Sequence, residues 1–180
     1  KAALKKGIQP IIGSKLRVWD GSYVVFLARD FKSYGNLCRL VSFVSVSGSV
    51  TRQNVSHYSK GLLTIAGVRD SRIRRALRAG RLHQAEVCFN ELRSVLHAPG
   101  MIFLALQNNG EERQTLQNSI DLANSLDVNT VATNEVTFLT SKDYILHRVL
   151  VDIQRKQHHR GGVPLPDDTF FLTSAQEMKS

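Results

Sequence analysis

The sequence predicts an α/β protein, and three patterns carry that prediction. Short continuous apolar runs, "GLLTIAG" at 61–67 and "MIFLALQ" at 101–107, have the length and bracketing of buried strands. Elsewhere apolar residues return at 3.6-residue spacing, as in Leu37, Leu40, Val41 and Val44, or Ala85, Phe89, Leu92 and Leu96. Such spacing marks helices that bury one face. Strand and helix patterns then alternate along the chain, which argues for a parallel sheet with helical crossovers. The 180 residues, 42% of them hydrophobic, suffice for a core. Five strands are too few for a closed barrel of the usual ~250 residues.

Taken in order, Asp20-Gly21 lies between two β-rich segments and predicts a two-residue hairpin turn with both central residues at positive φ. The flanking strands fall near 11–18 and 23–29. A modest helix follows Ser33. Residues 47–60, "SGSVTRQNVSHYSK", have few apolar residues and many Ser and Asn, so a loop with room for one helical turn is expected. After the strand at 61–67, "DSRIRRALRAG" reads as a helix capped by Ser71 and closed by Gly80. A second helix runs from Leu82 to Leu96 and ends before Pro99-Gly100. "MIFLALQ" is the clearest central strand.

"ERQTLQNSIDLANSLDV" is an amphipathic helix with Leu116, Ile120, Ala123 and Leu126 inward. "TVATNEVTFL" reads as a strand and its exit, and Ser141 opens a helix carrying Ile145, Val149 and Ile153. Beyond it the chain is polar, rich in Gly and Pro and aperiodic. "SAQE", Ser174 to Glu177, offers a capping box for one more helix. The expected organisation is one partial β/α domain over 1–157 and a loop over 158–180 leading toward a further domain. The first residues read as a helix end, so the chain is expected to be part of something longer.

The formal net charge of +9 is uneven: residues 1–90 hold 16 Lys/Arg against 4 Asp/Glu, and residues 91–180 hold 8 against 11. The basic half is a candidate for facing a polyanion. Cys38 and Cys88 form no metal-ligand spacing and read as free thiols, which suits a reducing, cytoplasmic setting. No apolar run approaches the roughly 18 residues of a membrane span, so no membrane partner is expected.

Polar groups at strand exits are the usual place for chemistry in α/β proteins. The exits are Arg29-Asp30, Val68 to Asp70, Gln107 to Asn109 and Asn134 to Thr137. Only Asp30, Asp70 and Glu135 there are metal ligands by type, a poor set for a hydrolytic ion. His57, His83, His97, His147 and the pair His158-His159 are scattered and define no nucleophile, base and orienter arrangement. P-loop, GxGxxG and GxSxG motifs are absent. Arginine is the stronger signal: Arg69, Arg72, Arg74, Arg75, Arg78 and Arg81 fall within 13 residues, with Ile73, Ala76 and Leu77 left for the core. Such a face suits phosphate backbones through counterion release, or a contact with protein.

A family resemblance adds to this. The stretches "AALKKGIQPIIGSKLRVWDG", "VVFLARDFKSYGNLCRLVS", "GLLTIAG", "IFLALQNNGEERQ", "LANSLDVNTVATNEVTFLTSKDYILHRVLVDI" and "FFLTSAQEM" together resemble the PHP (polymerase and histidinol phosphatase) domain of bacterial C-family DNA polymerases. That family includes replicative polymerase III alpha subunits and their error-prone translesion paralogues. The resemblance implies an incomplete, distorted PHP-type β/α barrel lacking its first strands, with the His-x-His and Asp-His strands of the family falling before Lys1. It also implies packing against polymerase domains.

Where metal-binding relatives carry ligands, this chain has Lys15 for Glu, Tyr23 for His, Val68 for Cys or a similar ligand, and Glu135 and Thr137 for the Asp and His of "ATN-Asp-x-His". Only Glu135 keeps a ligand-capable side chain, and the charge of Lys15 opposes an ion. The resemblance thus implies a degenerate metal site with no catalytic residue and no cofactor in this segment, which would serve as a structural and interaction module. Magnesium is expected for the parent polymerase. The expected partners are the remaining polymerase domains, an exonuclease subunit or DNA, in the bacterial cytoplasm. The alternative is an active metal-dependent phosphoesterase or 3′-to-5′ exonuclease.

Overall fold

A computed structural model describes residues 2–107, 113–158, 169–174 and 176. It divides into two compact units: residues 1–106 with 117–131, and residues 107–116 with 132–180. Among the described residues there are seven α-helices and one five-stranded sheet in the order β1-β2-β3-β4-β5, a mixed α/β architecture consistent with a partial PHP-type fold.

In the first unit, a short helix α1 (Ala2–Lys5) precedes the hairpin of β1 (Ile12–Arg17) and β2 (Tyr23–Ala28). The two strands pair antiparallel from Ile12↔Ala28 to Arg17↔Tyr23. The turn differs from the two-residue form expected. Gly21 N–H donates to the Val18 carbonyl (2.9 Å) and Val18 N–H to the Ser22 carbonyl (2.9 Å), giving a three-residue loop in which only Gly21 takes positive φ. This is a turn followed by a bulge at the left-handed residue. Asp20 keeps an ordinary backbone because its carboxylate accepts the Ser22 N–H at 2.8 Å.

Helix α2 (Phe31–Ser47) starts two residues earlier than Ser33 because Asp30 and Ser33 cap it reciprocally. Leu37 and Leu40 are buried, whereas Val41 is exposed. The supposed loop at 47–60 contains a true helix, α3 (Arg52–Tyr58), with Thr51 and Asn54 forming a second reciprocal cap. This helix changes the topology. After α2 the chain is beside the β1–β2 turn, where Val50 N–H donates to the Arg17 carbonyl. After α3 it is back at the start of α2, where the Asn36 side chain donates to the Lys60 carbonyl. Strand β3 (Leu62–Ala66) therefore begins opposite the end of β2, Leu62↔Ala28, and runs antiparallel to it. The parallel pairing expected from the alternation begins with β3 and β4 (Ile102–Leu106), joined by α4 (Arg72–Arg78) and α5 (Leu82–Val95), and β5 follows β4 in the sheet order.

The sheet's two faces differ as the strand period requires. Leu16, Val24, Phe26, Leu62, Thr64, Ala66, Ile102 and Leu104 are buried in a core shared with Leu37, Leu40, Leu77, Ala85, Phe89 and Leu92 of the helices. The alternate residues Val25, Leu27, Leu63, Ile65 and Phe103 are only half-buried, and Lys15 joins their face. At 25 cal/mol per Å² each fully buried aliphatic side chain contributes about 1.5–3 kcal/mol, so the helix-covered face supplies most of the stability. The part of α6 (Arg113–Leu126) in this unit buries Asn118, Ser119, Leu122 and Ala123, with Leu126 partly buried, so the inward stripe is rotated toward polar residues. Those polar groups have work: Asn118 Nδ2 donates to the Leu77 carbonyl at 2.8 Å, and Ser119 accepts from Arg74.

Strand β5 (Thr130–Ala132) has only three residues, fewer than the sequence pattern suggested. In the second unit, the extended segment after it is held by residues 170–173 instead: Phe138 bridges Phe171, and Asn134 Nδ2 donates to the Phe171 carbonyl at 2.7 Å. A 3₁₀ turn at Ser141–Asp143 leads into α7 (Tyr144–His158). Ile145, Val149 and Ile153 do not enter a core: Ile145 is 70% exposed, and Leu146 and Leu150 beside it are exposed too. Ala175 and Glu177 of the "SAQE" cap and the "HRGGVPLPDD" stretch lie outside the described residues.

Gly67 has φ +74°, and a Cβ there would lie 2.7 Å from Leu104 Cδ1. Gly67→Ala is expected to destabilise by about 1–3 kcal/mol through left-handed strain and overpacking, read from denaturant midpoints. Asp30 accepts the Ser33 N–H at 2.7 Å, which holds its carboxyl below the ordinary value. Since the folded pKa is the lower one, this stabilisation is complete above the unfolded pKa and is lost as pH falls through the folded value. Asp30→Ala should remove that part of the acid dependence, measured as thermal midpoint against pH.

Candidate functional site

The antiparallel β2–β3 pairing separates strand exits that a parallel sheet would have brought together. Arg29 and Asp30 lie at the end where β3 begins, and Asp30 is spent on capping α2. Val68 to Asp70 lie at the other end, beside the β1–β2 turn. There Lys15 Nζ stands 3.9 Å from Asp70 Oδ2 and 5.2 Å from the centre of the Tyr23 ring. Val68 is 5% exposed and offers no lone pair from its side chain. Asp70 takes a positive φ of 67° in the turn into α4. Three of the positions named by the resemblance, Lys15, Tyr23 and Val68, thus fall in one neighbourhood, with a cation at its centre.

Glu135 and Thr137 belong to the second unit. Glu135 is half-buried; Thr137 N–H donates to the Phe170 carbonyl at 2.8 Å, so this threonine holds backbone. Among the described residues no group of three or more His, Cys, Asp and Glu stands in metal-ligating proximity.

The arginines separate into three situations. Arg74 is 1% exposed: its backbone N–H donates to the capping Ser71 Oγ, and its Nη1 donates to Ser119 Oγ at 3.2 Å. It is a core residue. Arg72 sends its backbone N–H to Ser22 Oγ (2.9 Å) and its guanidinium to Asp20 (3.4 Å) and Glu91 (3.6 Å). Glu91 also meets Arg52 at 3.8 Å, and Arg52 stacks over Trp19 at 5.2 Å, so the hairpin turn, α3, α4 and α5 share one charge network. The spacing of the arginines gave no sign of these partners, which come from distant segments.

Arg75, Arg78 and Arg81 are exposed, while Arg69 is half-buried ahead of the helix. Arg81 lies between α4 and α5 and donates to Gln84 Oε1 at 3.2 Å. Arg72, Arg75 and Arg81 line a cleft of about 300 Å³ with Ala76 and Gln84, and no carboxylate among the described residues lines it. This cleft can take an anion, since guanidinium forks match phosphate and carboxylate oxygens.

Of the two thiols, Cys38 is exposed and Cys88 buried; burial pushes the Cys88 thiol up, against the opposing influence of Arg72. No described helix is long and apolar enough to cross a membrane.

The PHP domain profile matches residues 1–109, and the chain belongs to that family. Over its full length it is 28% identical to the DNA polymerase III subunit alpha of Thermus aquaticus, covering 17% of that protein. It is 29% identical over 82% of its length to the corresponding subunit of Vibrio cholerae, covering 14% of it. An error-prone DNA polymerase of Symbiobacterium thermophilum is 28% identical over 86% of the chain, which covers 16% of that polymerase. The chain is therefore homologous to a small part of much larger bacterial polymerases.

Two outcomes are expected. Arg74→Met should destabilise by about 1–3 kcal/mol because Ser119 loses its buried partner, whereas Arg75→Ala should change stability by no more than about 0.5 kcal/mol; urea titration of both variants separates core from surface arginine. Native-state alkylation should modify Cys38 rapidly and spare Cys88 until the chain is unfolded, as read by mass spectrometry of timed aliquots.

Proposed function

We propose that this chain serves as a scaffold and interaction module of a bacterial DNA polymerase III alpha-type enzyme, with a PHP metal site that has lost its ligands. The observation that carries the reading is the Lys15 ammonium, 3.9 Å from Asp70 and over the Tyr23 ring. A fixed cation at the mouth of a site repels a divalent ion, and Tyr23 and Val68 supply neither an imidazole nor a thiolate to offset it. The residues present do not fit a two- or three-ion hydrolytic centre. Glu135 remains as the one ligand-type side chain among the five positions, and Thr137 donates to a backbone carbonyl.

The larger protein would catalyse template-directed nucleotidyl transfer with magnesium in the bacterial cytoplasm, using residues outside this chain. In this reading the chain's part is to hold a surface against that machinery. The Arg72, Arg75 and Arg81 cleft contacts another polymerase domain, an exonuclease subunit or DNA, and Arg69 and Arg78 are further candidate contacts. Arg74 supports the cleft from the core.

The test is metal content by mass spectrometry combined with phosphoesterase and 3′-to-5′ exonuclease assays in zinc, manganese and magnesium. The expected result is sub-stoichiometric metal and no cleavage above a metal-free control. Bound metal at one or more equivalents with release of 3′ nucleotides would replace this reading with that of an active phosphoesterase.

A further inference from the structure

A second cationic groove lies apart from the arginine cleft, between α3 and the C-terminal end of α5. It is an open trough of about 630 Å³, with Arg52, Ser56, His57 and Lys60 on the α3 side and Ser94 and His97 on the α5 side. Among the described residues no carboxylate lines it. The groove is built by the fold: His97 N–H donates to Ser59 Oγ at 2.9 Å, tying the end of α5 to the end of α3. Arg52 is held by Glu91 and the Trp19 ring, which fixes one wall. Lys60 stands exposed on a turn whose backbone is fixed by the Asn36 amide.

We infer that this groove is a binding site for the phosphodiester backbone of a nucleic-acid strand. Its donors are ammonium, guanidinium, imidazole and hydroxyl groups, the set that contacts phosphate oxygens without reading bases. Among the described residues that line it there is no Phe, Tyr or Trp to stack a base: the Tyr58 ring beside it already packs T-shaped against His57 at 4.6 Å and lies under the Arg39 guanidinium at 5.7 Å. A free nucleotide would therefore find a phosphate site and nothing for its base, whereas a strand gains from several phosphates in succession. Two neutral donors beside the charges, Ser56 and Gln53, lie along the same trough, and Ser94, whose hydroxyl donates to the Glu91 carbonyl at 2.9 Å, closes its α5 side. The choice of DNA as the strand rests on the polymerase reading above; the site itself rests on the groove.

The experiment is fluorescence anisotropy of a labelled single strand of about 15 nucleotides against the 180-residue chain over a salt series. Lys60→Ala is expected to weaken binding about three- to tenfold and to reduce the log–log salt slope by about 0.7, the loss of one single-strand phosphate contact. Lys60→Glu should weaken it further, with thermal midpoints unchanged in both. Lys32→Ala, a basic residue of α2 outside the groove, reports the effect of bulk charge. If Lys60→Ala and Lys60→Glu leave affinity and slope as they were, or if Lys32→Ala loses as much as Lys60→Ala, the groove is no site. If only Arg75→Ala weakens binding, the groove proposal fails while the arginine cleft stands. Competition by a nucleoside triphosphate as strong per phosphate as by an unlabelled strand would also overturn it, because the groove would then be taking phosphate from any source.

Discussion

A guanidinium inside the core constrains the first unit more than any single apolar contact. Arg74 cannot lose its charge, so its burial is tolerable only if hydrogen-bond acceptors meet it. The acceptor seen on α6 is Ser119, and the neighbouring Asn118 reaches the Leu77 carbonyl at the end of α4. These bonds determine which face α6 turns inward, and that face is the cover for the end of the sheet. A purely apolar stripe would have allowed several rotations of α6; a row of polar groups with fixed partners allows one.

The same logic governs the surface near the hairpin. Asp20 serves its own turn through Ser22 and also receives Arg72, which in turn reaches Glu91 on α5. Each pair is partly solvated and individually worth little. Their joint effect is positional: the turn between β1 and β2 is referred to α4 and α5, and Lys15 is thereby kept near Asp70. The arginine cleft inherits its shape from these contacts, since Arg72 is both a network member and a wall.

Much of this was legible in the sequence. Strands β3 and β4 were, because continuous apolar runs between glycines leave few alternatives. The cap of α4 at Ser71 and the buried face of α5 were also readable from spacing. Helix α3 was hidden by the residues that start it: Thr51 and Asn54 are loop-like in composition because they satisfy backbone donors with their side chains. Missing that helix meant missing the reversal of β3. Arg74 was grouped with exposed arginines because a period of 3.6 identifies a face but not whether a long cationic side chain on its border finds partners inside. The apolar residues of α7 failed in the opposite sense, with a helical period present and no described core beneath it. Of the five positions carried by the family resemblance, Lys15, Tyr23 and Val68 lie near one another through the β1–β2–β3 pairing, which the spacing of residues so distant in sequence does not reveal, while Glu135 and Thr137 lie in the second unit.

The reversal carried by α3 also bears on the order in which the chain acquires its sheet. Pairing of β1 with β2 joins residues as close as Arg17 and Tyr23, while pairing of β3 with β4 joins Thr64 to Ile102 and must await both intervening helices. Closure entropy is smallest for the first and accrues to the last. A nascent chain can therefore close the hairpin and lay α2 on it while β4 is still unmade. Synthesis from the amino terminus and the antiparallel start of the sheet run in the same direction, and the parallel pairing of β3 with β4 is left for when its partners already exist.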